Sequence, residues 1–394
     1  MNFKQNVLKV FRGEEPDQVV WQPRIENWYD VQKRQDTLPE KYEGMSLLEV
    51  YDELECSPRP YLYGRPSPED LSDWEGIERA GGGYCPQEVP PVWTVSLDGG
   101  NITTEQEIDG QDLIERWKTP KGNLTRKWRT SDLSIVPHVI EHPVKEVEQL
   151  EMMEYILRHQ RVDFNYDNYE LVKENIGDRA PLAINAPRAP FQQLILFYMG
   201  YEKGILALYK RPEEVETFFE SAEEIDNRFY EMIKDCPIDI VNFPDNVDGH
   251  FDTPPLLEKY LLPHWQKRTE ELRSAGKFTD VHWDGSVKPI LDYTHDLGVD
   301  GFEALTPKPQ GDVTIKEMSD ALGDDLILLD GIPATHFMPN FSEEELKNTV
   351  KKIIEEFAPN LILGISDEIP ANGDIEKVRL VSQWVKEYNR GKSI

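Results

Sequence analysis

The chain predicts an α/β fold, a closed (β/α)8 barrel of the TIM type interrupted by an inserted region of antiparallel hairpins. Three observations carry that expectation. Short apolar runs alternate with helix-like segments along most of the chain, which implies a parallel sheet wrapped by helices. Four runs in the last third, 277–285 (KFTDVHWDG), 299–307 (VDGFEALTP), 325–333 (DLILLDGIP) and 360–370 (NLILGISDEIP), end in polar residues. The length of 394 residues suits a barrel with insertions, which needs about 250 residues or more.

Taken in order, residues 3–12 read as a helix and 19–21 (VVW) as the first strand, ending at Pro23 and Arg24. Residues 46–54 read as a helix in which Ser46 and Glu49 form a capping box. Residues 65–91 are rich in Pro and Gly, and 92–108 and 113–130 are alternating runs broken by DGGN and PKGN, the pattern of two hairpins. The whole chain, 1–394, is thus expected to form one barrel, with 65–130 inserted as a hairpin or lid region. Helix 143–159, strand 181–185, helices 190–207 and 211–233, strand 238–243 and a helix 254–275 broken at Pro263 follow. In the last third, Ser286 is expected to cap a helix that stops at Gly298. Thr314 with Glu317, Ser342 with Glu345, and Asp374 cap three more. Seven strands are clear, and the eighth falls in 58–63 or 133–138.

Composition excludes several function classes. The 74 acidic and 43 basic residues give a net charge of −31, which repels nucleic-acid phosphates and anionic lipid. Three sparse cysteines, Cys56, Cys85 and Cys236, argue against a disulfide framework and for a reducing cytoplasm. There is no apolar run of membrane-spanning length and no secretory signal core. GxGxxG, GxxxxGK, GxSxG and HExxH are all absent, which argues against dinucleotide, P-loop, α/β-hydrolase and zincin chemistry.

In a barrel the strand ends share one rim, so His282, Glu303, Asp330 and Asp367 are expected to meet despite their separation in sequence. His282, Glu303 and Asp367 are the candidate metal ligands, since imidazole and carboxylates both bind zinc. Glu303, Asp330 and Asp248 are the candidate catalytic groups. The loop 242–252 (NFPDNVDGHFD) adds Asp245, Asn246, Asp248 and His250 to the same rim. Arg24 is a candidate clamp for a substrate carboxylate. Trp21, Trp28 and Tyr29 are candidate walls of a substrate pocket. Asp284 and Glu368 are alternatives to the carboxylates named, and His264 and His336 are weaker candidates.

These motifs resemble the uroporphyrinogen decarboxylase superfamily. The carriers are VHWDG (281–285), GVDGFEAL (298–305), LLDGIP (328–333), LILGISDEIPANGDIEKV (361–378), DTPPLLEKYLLPHWQK (252–267) and FRGEEPDQVVWQPR (11–24). The resemblance covers about three quarters of the chain and leaves out 65–130. It implies the (β/α)8 barrel and one of two activities. Cofactor-free decarboxylation needs paired arginines, whereas only Arg24 follows VVW here. Zinc-dependent methyl transfer uses a His-x-Cys and a distant Cys; His282 matches the histidine, Asp284 stands at the first cysteine, and Ser366 or Asp367 near the second. An oxygen-rich zinc site suits an oxygen leaving group. The resemblance therefore implies a methyltransferase that moves a methyl group from a methoxylated aromatic to the cobalamin of a partner corrinoid protein. The resemblance implies that the corrinoid arrives on that partner protein. The alternative is a metal-independent lyase on a carboxylated substrate. Homodimers occur in the superfamily.

Overall fold

The structure, a computed structural model, describes residues 2–62, 64–66 and 91–392. The Pro- and Gly-rich stretch 67–90, with Cys85, lies outside the described residues. Two compact units are distinguished: one comprises Met1–Tyr61, Leu171–Asn185 and Ile238–Ile394, the other Leu62–Glu170 and Ala186–Pro237.

The first unit is built on one curled eight-stranded sheet, the (β/α)8 barrel. Its strands are β1 (Val20–Trp21), β2 (Tyr61–Leu62), β3 (Ala183–Asn185), β4 (Ile240–Val247), β5 (Phe278–Trp283), β6 (Gly301–Glu303), β7 (Ile327–Pro333) and β8 (Leu361–Ser366). Neighbours in space are neighbours in sequence, from β2 through β8, with β1 beside β8. The pairings from β3 to β8, and of β8 with β1, are parallel. In the segment leading into β2, Ser57 N donates to Trp21 O of β1 at 2.9 Å. The eighth strand is therefore the first of the two candidates, while Ser134–Glu141 belongs to another sheet. All residues of β7 and β8 are buried, as expected of parallel strands covered on both faces.

Local chemistry sets the helices of this unit. Ser46 with Glu49, Thr314 with Glu317 and Ser342 with Glu345 each close the expected capping box. Helix Glu343–Phe357 buries Leu346, Val350, Ile353 and Phe357. Full burial of such side chains contributes about 1.5–3 kcal/mol each. Two expectations fail. Ser286 caps no α-helix; its hydroxyl donates to Asp312, and only a 3-10 stretch, Leu291–Asp296, follows. Pro263 does not break its helix but opens the α-helical part Leu262–Ser274, behind a π-helical turn at Leu257–Leu261.

The second unit holds antiparallel strands. The hairpin at PKGN forms, joining Asp112–Thr119 to Gly122–Ser131. The hairpin at DGGN does not. Trp93–Leu97 pairs with Gln160–Phe164 instead, and Thr103–Asp109 pairs with Asp112–Thr119 across the turn at Gly110. Asp-Gly at 109–110 supplies the tight turn, with Gly110 at φ 60°. Here Glu115, 4% exposed, accepts from Arg126 Nε at 2.8 Å and Trp128 Nε1 at 2.7 Å. Helix 190–207 is split by Gly200 at φ 81°, whereas Pro212–Asp235 is continuous and buries Val215, Phe218, Phe219, Ala222, Ile225 and Phe229. Among the described residues no helix is long and apolar enough to cross a membrane.

Candidate active site

Strand alternation brings one set of side chains into the barrel. Asp280 and His282 lie two residues apart on β5 and so share a face. Register aligns Asn242 of β4 with Asp280, and His282 with Glu303 of β6. Just past β1, Gln22 and Arg24 follow the same rule, because Gln22 receives Arg59 Nε at 3.0 Å and Arg24 reaches Glu303.

Glu303, 1% exposed, is the hub. Its Oε2 lies 2.6 Å from His282 Nδ1, and its Oε1 accepts from Arg24 at 3.1 Å and from Arg59 at 3.4 Å. Asn242 Nδ2 reaches Oε2 at 3.4 Å and also donates to Asp280 Oδ1. Arg24 binds Asp367 as well, and Glu368 at 2.8 Å. Arg59 Nη2 lies 2.7 Å from Asp330 Oδ1 but off hydrogen-bond geometry, so that contact is one of charge rather than a directed bond. A Cβ on Gly364 of β8 would lie 2.1 Å from Asp330 Oδ1 and 3.1 Å from Arg59 Nη2. The Arg59–Asp330 pair crosses β8 at a residue that must lack a side chain.

The backbone is strained at the same rim. Asn246, Ala304 and Asp330 have φ of 53°, 66° and 90°, a region that non-glycine residues enter at a cost of about 1–3 kcal/mol each. Asn246 is the last residue but one of β4, Ala304 follows β6, and Asp330 lies midway along β7 with its carboxyl 2.7 Å from Arg59.

Two guanidinium groups, Arg24 and Arg59, stand among six carboxyls: Glu26, Asp280, Glu303, Asp330, Asp367 and Glu368. Burial and the excess of acid together raise several of these carboxyls. Burial, with Glu303 nearby, pushes Asp280 up to about 8. Burial also raises Glu368 to about 8 against the pull of Arg24, and Asp330 to about 6 against Arg59. Burial opposes ionisation of Glu303 too, but His282 and the two arginines hold it well below the carboxylate range. Burial alone would lower His282, and the Glu303 and Asp284 carboxylates outweigh it, so its pKa stands well above the ordinary value. A divalent cation would relieve this excess of negative charge.

His282, Glu303 and Asp367 each offer a ligand atom within 4.8 Å of the others, the set expected of a metal. His282 Nε2 is buried and has no hydrogen-bond partner, while Asp284 Oδ2 stands 3.9 Å away. A nitrogen left free on one side of an imidazole, with a carboxylate on the other side fixing its tautomer, suits a zinc ligand. The residues therefore fit the ion.

Other candidates fall elsewhere. Trp21 alternates away from Gln22 and stacks on Phe337, with centroids 6.4 Å apart. Trp28 packs edge-on against Tyr42, and the Tyr29 hydroxyl donates to Met45 O. These three rings are core, not pocket wall. Asp248 holds its own loop, accepting from His250 N at 2.8 Å and Ser286 N at 3.3 Å. His250 is 73% exposed, and Asn246 is exposed. Asp245 accepts from Trp265 Nε1 at 2.7 Å. His264 and His336 pack beside Phe243 and Phe341. Sequence reasoning missed Arg59, Asn242 and Asp280. Period two on β5 was signal enough for Asp280, whereas the two-residue β2 gave little for Arg59.

The family model described as uroporphyrinogen decarboxylase matches residues 129–388. The chain belongs to the uroporphyrinogen decarboxylase family. Among solved structures, a methyltransferase from Methanosarcina mazei is similar over 98% of this chain and 99% of its own, at 15% identity and a TM-score of 0.60. A B12-independent methionine synthase from a Shewanella species covers 68% of this chain and 76% of its own, at 12% identity and a TM-score of 0.41. At such identities the first likeness is one of fold. Within the uroporphyrinogen decarboxylase fold, the cluster described above occupies the C-terminal strand ends, where barrel enzymes carry their chemistry.

Proposed function

We propose that this member of the family is a methyltransferase that takes a methyl group from a small methoxylated aromatic and passes it to the cob(I)alamin of a partner corrinoid protein. The observation that carries the reading is the buried Nε2 of His282, which makes no hydrogen bond, in a cluster with more carboxyls than guanidinium groups. His282, through Nε2, and Asp367 would hold zinc, with Glu303 orienting the ring from Nδ1; the ion would supply a Lewis acid for the leaving oxygen. Breaking the methyl–oxygen bond leaves its electron pair on that oxygen, and no nucleophilic side chain is required.

The protein's own residues have separate tasks. Glu303 fixes the ring of His282 through Nδ1 and keeps Nε2 aimed at the site. Arg24 and Arg59 lock Glu303 in turn, so that its carboxylate does not rotate. Arg24 also steadies Asp367. Asp330 anchors Arg59 from β7. The fixed positions offset the orientational part of the barrier before substrate arrives.

The fold match to a methyltransferase over nearly the full length of both chains agrees with this reading. The second reading, a metal-independent lyase on a carboxylated substrate, gains from the presence of two buried arginines. Both, however, are already paired with the protein's own carboxylates, which leaves a poor site for an anion.

The test is elemental analysis of the purified chain with His282→Ala and Glu303→Ala beside it, followed by methyl transfer from 2-methoxyphenol to a reduced corrinoid protein. About one zinc per chain, lost in both variants, with transfer abolished by chelation, is the expected result. A chain that fails to bind added zinc, or activity that survives chelation, would move the assignment to the lyase.

A further inference from the structure

We propose that a second polar pocket, formed by Tyr61, Asn185 and Asp280 beneath the histidine–carboxylate cluster, takes the hydrogen-donating group, a hydroxyl or an amine, at the far end of the aromatic substrate. The three side chains are 3%, 4% and 0% exposed. Tyr61 Oη, Asn185 Oδ1 and Asp280 Oδ2 nevertheless have no hydrogen-bond partner. Buried polar atoms are nearly always satisfied, so three such atoms on one sheet call for an occupant.

Their placement is coherent. Asn185 of β3 pairs in register with Asn242 of β4, and Asn242 with Asp280 of β5, so the three side chains share a face. That face is the inner one, because Asn242 Nδ2 bridges Asp280 and Glu303. The Tyr61 ring stands against Arg24, with the guanidinium carbon 5.9 Å from its centroid. Burial first, and then the Asp280 carboxyl, raise the Tyr61 hydroxyl well above its ordinary pKa, which puts the two groups within electrostatic reach. Asp280 lies two residues before His282, a rise of about 6.6 Å along the strand. That separation suits a ring whose methoxy oxygen sits at the histidine and whose other polar group points down the barrel.

The chemistry of the free atoms selects the group. An amide oxygen accepts only, a phenol both accepts and donates, and the Asp280 carboxyl does both while it holds its proton. Asn185 Oδ1 therefore sets the demand for a hydrogen, and a carboxylate would meet it unfavourably. A hydroxyl or an amine satisfies two or three of the atoms together.

The inference rests on the methoxyarene reading above, and its test separates the two. Binding of 4-methoxyphenol, 4-methoxyaniline and 1,4-dimethoxybenzene to the full zinc-supplemented chain is followed by intrinsic tryptophan fluorescence and by calorimetry. The phenol or the aniline should bind about tenfold tighter than the dimethoxy compound, and the tighter of the two identifies the group. Tyr61→Phe removes one oxygen atom and should cut that preference to about threefold, with a thermal midpoint close to the parent's showing that the fold is kept. Equal binding of all three probes to the unaltered chain would overturn the pocket and leave the methoxyarene reading standing. Failure of all three to bind would overturn both.

Discussion

Arg59 is the most exacting place to test this account of the cluster. Arg59→Met removes a buried guanidinium and leaves its volume filled. The lost contacts are those to Glu303 at 3.4 Å, Asp330 at 2.7 Å and Gln22 at 3.0 Å. Stranding an ionised carboxylate by removing its partner costs about 3–5 kcal/mol. Asp330 can escape that cost by taking a proton. Burial already raises it to about 6, above the ordinary 3.8, even with Arg59 pulling it down. A folded-state pKa above the unfolded one gives stability that is complete below the unfolded pKa and is lost as pH rises through the folded pKa. In the parent that loss ends near pH 6; without Arg59 it continues upward. The penalty of Arg59→Met should therefore be about 1–2 kcal/mol near pH 5, from the lost hydrogen bonds, and should open above about pH 6. Its slope cannot exceed about 1.4 kcal/mol per pH unit for this one group. Urea unfolding of the transition that carries the parallel sheet, from about pH 5 to 8, measures it, and Arg59→Met with Asp330→Asn should flatten the slope. A penalty independent of pH, or a double variant that keeps the slope, would refute the assignment of Asp330 as the group that Arg59 holds ionised.

Gly364→Ala should destabilise by about 1–3 kcal/mol and weaken zinc binding, since its Cβ would press into Asp330 and Arg59; unchanged unfolding and zinc affinity would contradict that geometry. Ser342→Ala removes the hydroxyl that accepts from Glu345 N and should cost about 1 kcal/mol in thermal unfolding, with zinc content unchanged. In the second unit, burial opposes the charge on Glu115, but Arg126 and Trp128 hold its pKa below 4.5. Its contribution is present above the unfolded pKa and lost as pH falls through the folded one. Glu115→Gln should cost about 1.5–3 kcal/mol at neutral pH, and the difference from the parent should vanish in acid; a difference that persists in acid would show a packing effect instead.

The legible parts of the fold are those where one residue type does one job. Capping boxes at Ser46, Thr314 and Ser342 read directly, because a hydroxyl and a carboxylate three residues apart satisfy the same backbone donors wherever they occur. The rim residues His282, Glu303, Asp330 and Asp367 were visible because each ends an apolar run. What stayed hidden depended on partners far along the chain. Trp93–Leu97 alternates as a hairpin strand should, yet Gln160–Phe164 takes its hydrogen bonds. Arg59 sits before a two-residue strand with no periodicity of its own, and its meaning comes from Asp330 and Glu303. Trp21, Trp28 and Tyr29 looked like pocket walls because aromatic rings serve equally as core. Only the side of the strand or helix they occupy decides.

The bare backbone at Gly364 also constrains the order in which this sequence can change. Asp330 and Gly364 stand on β7 and β8 and Arg59 just before β2, and the three occupy one space. A lineage that keeps the ion pair cannot admit even an alanine at 364. One that first loses the aspartate removes the tightest contact and leaves Gln22 O, 2.9 Å from the new Cβ, to adjust, and an alanine gained there would then block the pair's return. Among relatives, a side chain at the position of Gly364 should accompany loss of the pair, and a history running the other way round should be rare.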